Sequence, residues 1–152
     1  MRIVPFEKLS RFQRRATPLA LCRHLVDRVS NHYGSATVAV LWIERKSHYW
    51  KLWPAVELHG VGRDARRYSG PFPVICHPPC GPWGKYKANC NHNKEDAIIA
   101  MELVHRWGGV VEHPVGSSLF MEHGLDGVVE RINQADFGHM AMKPTLLYWV
   151  LK

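Results

Sequence analysis

Long apolar runs are missing from this 152-residue chain. No stretch approaches the ~18 to 20 residues that a helix needs to cross a bilayer, so a helical membrane protein is excluded. The basic N-terminus, Met1 to Arg15, adjoins no apolar core and does not read as a secretion signal. Cysteine is scarce. Cys22, Cys76, Cys80 and Cys90 in a chain without such a signal imply reduced thiols, not a disulfide framework. Internal repeats and low-complexity linkers are also absent. What remains, 46% hydrophobic and 22% charged residues, is the composition of one cytoplasmic globular domain. Residues 1–16 read as its basic N-terminal arm.

The formal charge of +7 and a pI near 9.5 favour a polyanionic partner, because every neutralised phosphate releases counterions. The cations gather in three places: Lys8, Arg11, Arg14 and Arg15 in the arm, Arg63, Arg66 and Arg67 in mid-chain, and Lys85 and Lys87 soon after. DNA is the expected partner, and no membrane partner is expected.

Apolar periodicity divides the chain into alternating strands and helices. Thr17-Pro18 has the pattern of a helix start, Leu21, Leu25, Val26 and Val29 supply an apolar stripe, and Gly34 is a stop, which predicts a helix over 18–33. Ala36 to Ile43 is apolar without alternation, the mark of a strand covered on both faces. Val56 to Val61 is a weaker strand, and Pro73 to Cys76 a short one halted by prolines. Asn93 can cap a helix whose apolar face runs from Ile98 to Trp107 and which Gly108-Gly109 closes. Val110 and Val111 open a fourth strand ending at Glu112-His113-Pro114. An irregular or partly helical stretch follows, then a last strand over Leu146–Leu151. The pattern predicts a three-layer α/β fold with a mainly parallel sheet, the helix of 17–34 packing on it.

In such a sheet ligands bind beyond the carboxyl ends of the strands, so the turns 77–84 and 112–117 share one rim. Cys80 closes a His77-Pro78-Pro79-Cys80 turn that holds a thiol in a fixed, exposed position where a thiolate could attack. Glu112 stands at the next strand end, able to protonate or hydrogen-bond a ring nitrogen. His77 is a neighbour that could lower the thiol pKa.

These residues resemble the DNA cytosine carbon-5 methyltransferases, in which a Pro-Cys pair at one strand end carries the nucleophile and a glutamate at the next carries the carboxylate. Pro78-Pro79-Cys80, Glu112-His113-Pro114 and Gln134 to His139, with Lys143 and Thr145 leading into the last strand, follow the family's order. The pattern from Asp64-Ala65-Arg66 through Trp83-Gly84 and Trp107-Gly108-Gly109 to Phe137-Gly138-His139 is closer still to a group of small bacteriophage methyltransferase-like proteins. The resemblance covers about residues 36–151. It implies a Rossmann-like methyltransferase fold, S-adenosylmethionine as methyl donor, and a target base drawn out of the stack. On this likeness Cys80 adds to carbon 6 and Glu112 steadies the charge at nitrogen 3. Asp64 and Pro78 face the cofactor. Trp83, Tyr86, Lys85, Lys87, His139, Lys143 and Thr145 face the substrate or its nucleic acid.

Two departures accompany the likeness. The glycine-rich turn that holds the donor in that family is replaced after Ile43 by Glu44-Arg45-Lys46-Ser47-His48, and the chain has no room for a separate DNA-recognition domain. A catalytically inactive module that binds nucleic acid or a host protein is therefore the alternative, and a free nucleotide in place of DNA a third possibility. Zinc is a weaker rival. Cys76, His77, Cys80, Cys90 and His92 are close in sequence, but their spacing is not that of paired knuckles, and no metal site is expected.

Overall fold

The computed structural model describes residues 3–60, 63–84, 87–91 and 93–152. Six strands form one sheet: β1 (Val38–Ile43), β2 (Val56–Gly60), β3 (Val74–Cys76), β4 (Gly109–Pro114), β5 (Val128–Asn133) and β6 (Pro144–Val150), in the order β2-β1-β3-β4-β6-β5. The joins β2/β1, β1/β3 and β3/β4 are parallel, whereas β6 runs antiparallel to both β4 and β5. The fold is the three-layer α/β arrangement expected, with a reversed strand at one side of a mainly parallel sheet.

The layers follow from strand alternation. Val38 and Val40 of β1, Ile75 of β3 and Val110 of β4 pack under α2 (Leu19–Tyr33), against Leu21, Leu25 and Val29. Ala39 and Leu41, Val74 and Cys76, and Val111 face the other way, toward Ala100, Met101 and Val104 of α4 (Glu95–Trp107). Every residue of β1 and β3 is buried, which is why neither shows polar alternation. Gly34 caps α2 in the left-handed conformation at φ 60°. Gly109 lies at φ 122°, and a Cβ there would stand 1.9 Å from the Val74 carbonyl oxygen, so only glycine lets β4 pair with β3.

Three expectations change. Thr17 does not cap α2: its N-terminus has no side-chain cap, and Pro18 occupies the cap position. Asn93 accepts from the Glu95 amide at 3.2 Å, as an entry turn into α4. The stretch expected to be irregular or partly helical contains the helix α5 (Leu119–His123), as expected, and also the edge strand β5, which was not. Val128 and Val129 are 69% and 49% exposed, so β5 carries no buried apolar run to betray it.

The N-terminal segment is folded. A 3-10 turn over Phe6–Lys8 leads into α1 (Arg11–Arg15), started by a reciprocal cap in which Ser10 Oγ accepts from the Gln13 amide and Gln13 Oε1 from that of Ser10. The short helix α3 (Arg63–Arg66) follows β2. No helix among the described residues is long and apolar enough to cross a membrane.

Candidate active site at the carboxyl rim

Consecutive strands leave β1 in opposite directions, β2 to one side and β3 to the other, so a crevice opens at their carboxyl ends. A cavity of about 650 Å³ occupies it. Its walls are the end of β1 with the turn behind it (Trp42 to Tyr49), the His77 to Cys80 turn after β3, Glu112 and Pro114 of β4, and Met142 to Pro144 at the start of β6. Phe6 and Arg14 to Thr17 close it from the N-terminal side. Tyr49 is 1% exposed and forms part of the wall, whereas Trp50 points out to solvent at 55%, so neither plugs the space.

Cys80 and Glu112 both line this cavity, as does Pro78. Glu112 sits in the middle of a polar chain. One carboxylate oxygen faces His77 Nδ1 at 3.3 Å, and the other accepts from Gln134 Nε2 at 3.1 Å. His77 Nε2 meets the Tyr49 hydroxyl at 2.8 Å, and Gln134 Nε2 also reaches Thr145 Oγ1 at 2.9 Å. His77 Nδ1–H donates to Glu112, and its Nε2 pairs with the Tyr49 hydroxyl. Burial raises the Tyr49 pKa, which keeps that hydroxyl a donor.

Burial alone would push the Glu112 pKa up. The hydrogen bond and charge of His77, with the charges of Lys143 and His113, outweigh it and hold the pKa at about 2. Glu112 is therefore an anion at neutral pH. Of the two roles expected of it, protonating or hydrogen-bonding a ring nitrogen, the ionised carboxylate fits the second, as acceptor of an N–H.

Cys80 is exposed, yet the cavity wall strips enough water from the thiol to raise its pKa, and the Glu112 charge adds to the rise. Lys143 and Arg15 pull the other way without reversing it. The expectation that His77 would activate the thiol is corrected, because both of its ring nitrogens are engaged by Tyr49 and Glu112.

Other expected site residues are scattered. Trp83 is 2% exposed and packed in the α4-side core, with Lys94 Nζ 4.6 Å from its ring centroid, so it offers no stacking face. His139 is 4% exposed and spends both ring nitrogens on backbone, Nδ1 at Ala141 and Nε2 at the Gln13 carbonyl 3.0 Å away. Thr145 is fully buried and reaches the site only through Gln134. Asp64 and Lys87 are exposed and lie outside the cavity wall. Lys85 and Tyr86 lie outside the described residues, as does His92 of the zinc alternative. Lys143 does line the cavity.

Three residues given no role of their own in the sequence reading prove central. Tyr49 and Gln134 complete the chain through Glu112. Trp42 ends β1 at φ 61°, rare for a bulky side chain, where the β1/β2 register shifts. Its indole Nε1 donates to Asp96 at 3.0 Å, and Asp96 is gripped by Arg66 at 2.6 Å. A left-handed residue at this strand end, with no glycine nearby, is a signal visible only in the backbone.

No protein-family model matches the sequence, and no curated protein does. A similar solved structure is that of a Listeria monocytogenes protein assigned to the class I S-adenosylmethionine-dependent methyltransferases, at 13% identity and a TM-score of 0.50. The match covers 96% of this chain and 64% of that one. The fold is that of a class I methyltransferase. The chain spans under two thirds of that protein's length, and the likeness speaks for architecture alone.

S-adenosylmethionine is the cofactor this fold implies. The cavity suits its amino-acid half, with Arg15 and Lys46 for a carboxylate and Glu44 for an ammonium group. It does not suit the adenosyl half: β2 contributes nothing to the wall, Asp64 lies outside it, and Glu57 is bound to His59 at 2.6 Å. No glycine replaces the side chains of Glu44 to Ser47 where the backbone would have to approach the cofactor.

Proposed function

We propose that this chain is a methyltransferase-fold protein whose cavity handles a pyrimidine ring, with methylation at carbon 5 of cytosine as its reaction. The observation that carries the reading is the convergence of Cys80, from the β3 turn, and Glu112, from β4, on one cavity at the switch point of the sheet. Cys80 passes its proton to water in the open cavity and its thiolate bonds to carbon 6, which moves a ring electron pair to carbon 5. Glu112, held ionised, accepts from the exocyclic amino group of cytosine. When a methyl donor is bound it supplies the one-carbon group. Loss of the carbon-5 proton to water, its electron pair re-forming the carbon 5–carbon 6 double bond and expelling the sulfur, restores the ring and the Cys80 thiolate, which water reprotonates.

The sequence resemblance makes cytosine in DNA the first substrate to try. The protein is mixed with S-adenosylmethionine carrying a labelled methyl group and with cytosine-containing DNA or nucleotide, and label in the base is counted. Label should appear with the wild-type chain and vanish in Cys80→Ser. Equal incorporation by both would remove the nucleophile from the reading.

A second reading, a binding module without catalysis, is favoured by two observations. The Cys80 thiol pKa is raised, and charged side chains stand where the adenosyl cradle should be. It expects no label with either protein, together with ligand binding that Cys80→Ser leaves intact.

A further inference from the structure

The walls of the cavity bear on what a pyrimidine bound there would be attached to. The N-terminal segment is strapped across the mouth from both sides. On the β6 side, the Val4 amide donates to the Met140 carbonyl at 2.7 Å, and the Gln13 carbonyl meets His139 Nε2 at 3.0 Å. On the β1 side, Arg15 pairs with Glu44 at 3.3 Å. Phe6, Arg15 and Thr17 of this strap form part of the cavity wall. A duplex with one base turned out must lay its backbone along the mouth, which is where the strap runs. The aromatic side chain expected to receive the neighbours of such a base, Trp83, is buried in the core.

Charge inside the cavity matches a small anion. Its cationic side chains include Arg15, Lys46 and Lys143, and the carboxylates facing them are Glu44 and Glu112. Both carboxylates are engaged, Glu44 with Arg15 and Glu112 with His77 and Gln134. Lys143 forms no ion pair with a described residue, and its charge, like that of Arg15, is felt at Cys80. Cations lining the cavity that holds the nucleophile are placed to meet an anionic group carried on the ring's sugar. A cavity of about 650 Å³ is the size of a small-molecule site, not of a nucleic-acid groove.

We propose that the cavity takes a pyrimidine mononucleotide, its base against Cys80 and Glu112 and its phosphate between Arg15 and Lys143, in place of a base flipped from a duplex. The proposal rests on the pyrimidine reading above and differs from it in what carries the base.

Calorimetry on the full chain tests it, with deoxycytidine, deoxycytidine 5′-monophosphate, a single-stranded oligonucleotide and a duplex as separate titrants. The monophosphate should bind at least about tenfold more tightly than the nucleoside, and Lys143→Gln should close that gap while Lys143→Arg keeps it. Equal affinity for nucleoside and monophosphate would overturn the proposal and leave the pyrimidine reading standing. Tighter binding of either DNA than of the monophosphate would do the same. Binding of none of the four would overturn both.

Discussion

The two halves of the carboxyl rim are built on different principles. Around the ends of β3, β4 and β6, side chains from five segments, one of them the turn behind β1 that carries Tyr49, close into a chain of hydrogen bonds, Tyr49 to His77 to Glu112 to Gln134 to Thr145, nearly all of it out of solvent. On the side of β1 and β2, a run of charged residues sits at the surface, and an ion pair to the strap, Arg15 with Glu44, is about half exposed at both ends. The first half resembles a site that holds a ligand's functional groups in fixed positions. The second resembles a solvated mouth. A fold can thus keep the geometry of its substrate side while the backbone cradle expected on the other side is replaced by side chains.

Mutation breaks this contrast most directly. Glu112→Leu removes the acceptor from both His77 and Gln134 and leaves their N–H groups buried without partners, at a cost of about 3 kcal/mol. Glu44→Gln on the exposed side should change stability by less than about 0.5 kcal/mol. Urea unfolding of the two variants beside the wild type checks both values. Similar losses in the two would mean that the rim is uniform after all.

Acid sharpens the same contrast. Burial lowers the His113 pKa from 6.5 to about 4, against the pull of the Glu112 charge. A histidine depressed in the folded state contributes stability that is complete above its unfolded pKa and is lost as pH falls through its folded one. For His113 that window runs from about 6.5 down to 4. Glu112, lowered from 4.5 to about 2, extends the loss below pH 4.5. Urea midpoints should therefore hold above pH 7 and fall continuously from pH 6.5, with His113→Gln flattening the upper part of the curve. A midpoint independent of pH between 7 and 4 would show that His113 does not titrate as its burial demands.

Much of the scaffold was legible because burial on both faces leaves its mark in composition. Val38 to Ile43, Val74 to Cys76 and Val110-Val111 are apolar at every position, which only a covered strand tolerates. β5 was not legible for the opposite reason: as an edge strand joined only to β6, it carries Val128 and Val129 in solvent and a mixed pattern. At the site, Cys80 and Glu112 could be found because each ends a recognisable strand. Tyr49 and Gln134 could not, since their importance lies in contacts across 28 and 22 residues of sequence. Trp83, His139 and Thr145 show the converse error. A residue type suited to ligand contact was assigned to the ligand, and the core or the backbone claimed it instead.

The smallest expected effect concerns the nucleophile and the field around it. Cys80 is the exposed thiol, Cys22 and Cys76 are buried, and Cys90 is partly covered, with its sulfur against Gly81. Burial pushes the pKa of Cys22 up to about 12, so it has almost no thiolate at neutral pH. Iodoacetamide should therefore label Cys80 first. It should do so several-fold more slowly than a free cysteine at pH 7, because the wall and the Glu112 carboxylate keep the thiol protonated. Glu112→Gln removes the carboxylate's part of that rise, and Lys143→Gln removes an opposing charge, so labelling should speed up in the first variant and slow down in the second. Mass spectrometry of the labelled peptide at several pH values reads both changes. Their opposite signs are the point, because a merely looser mouth would speed labelling in both. If the two variants moved together, the rim's electrostatics would have no hold on Cys80, and the well-ordered half of the site would be a structural brace without a chemical role.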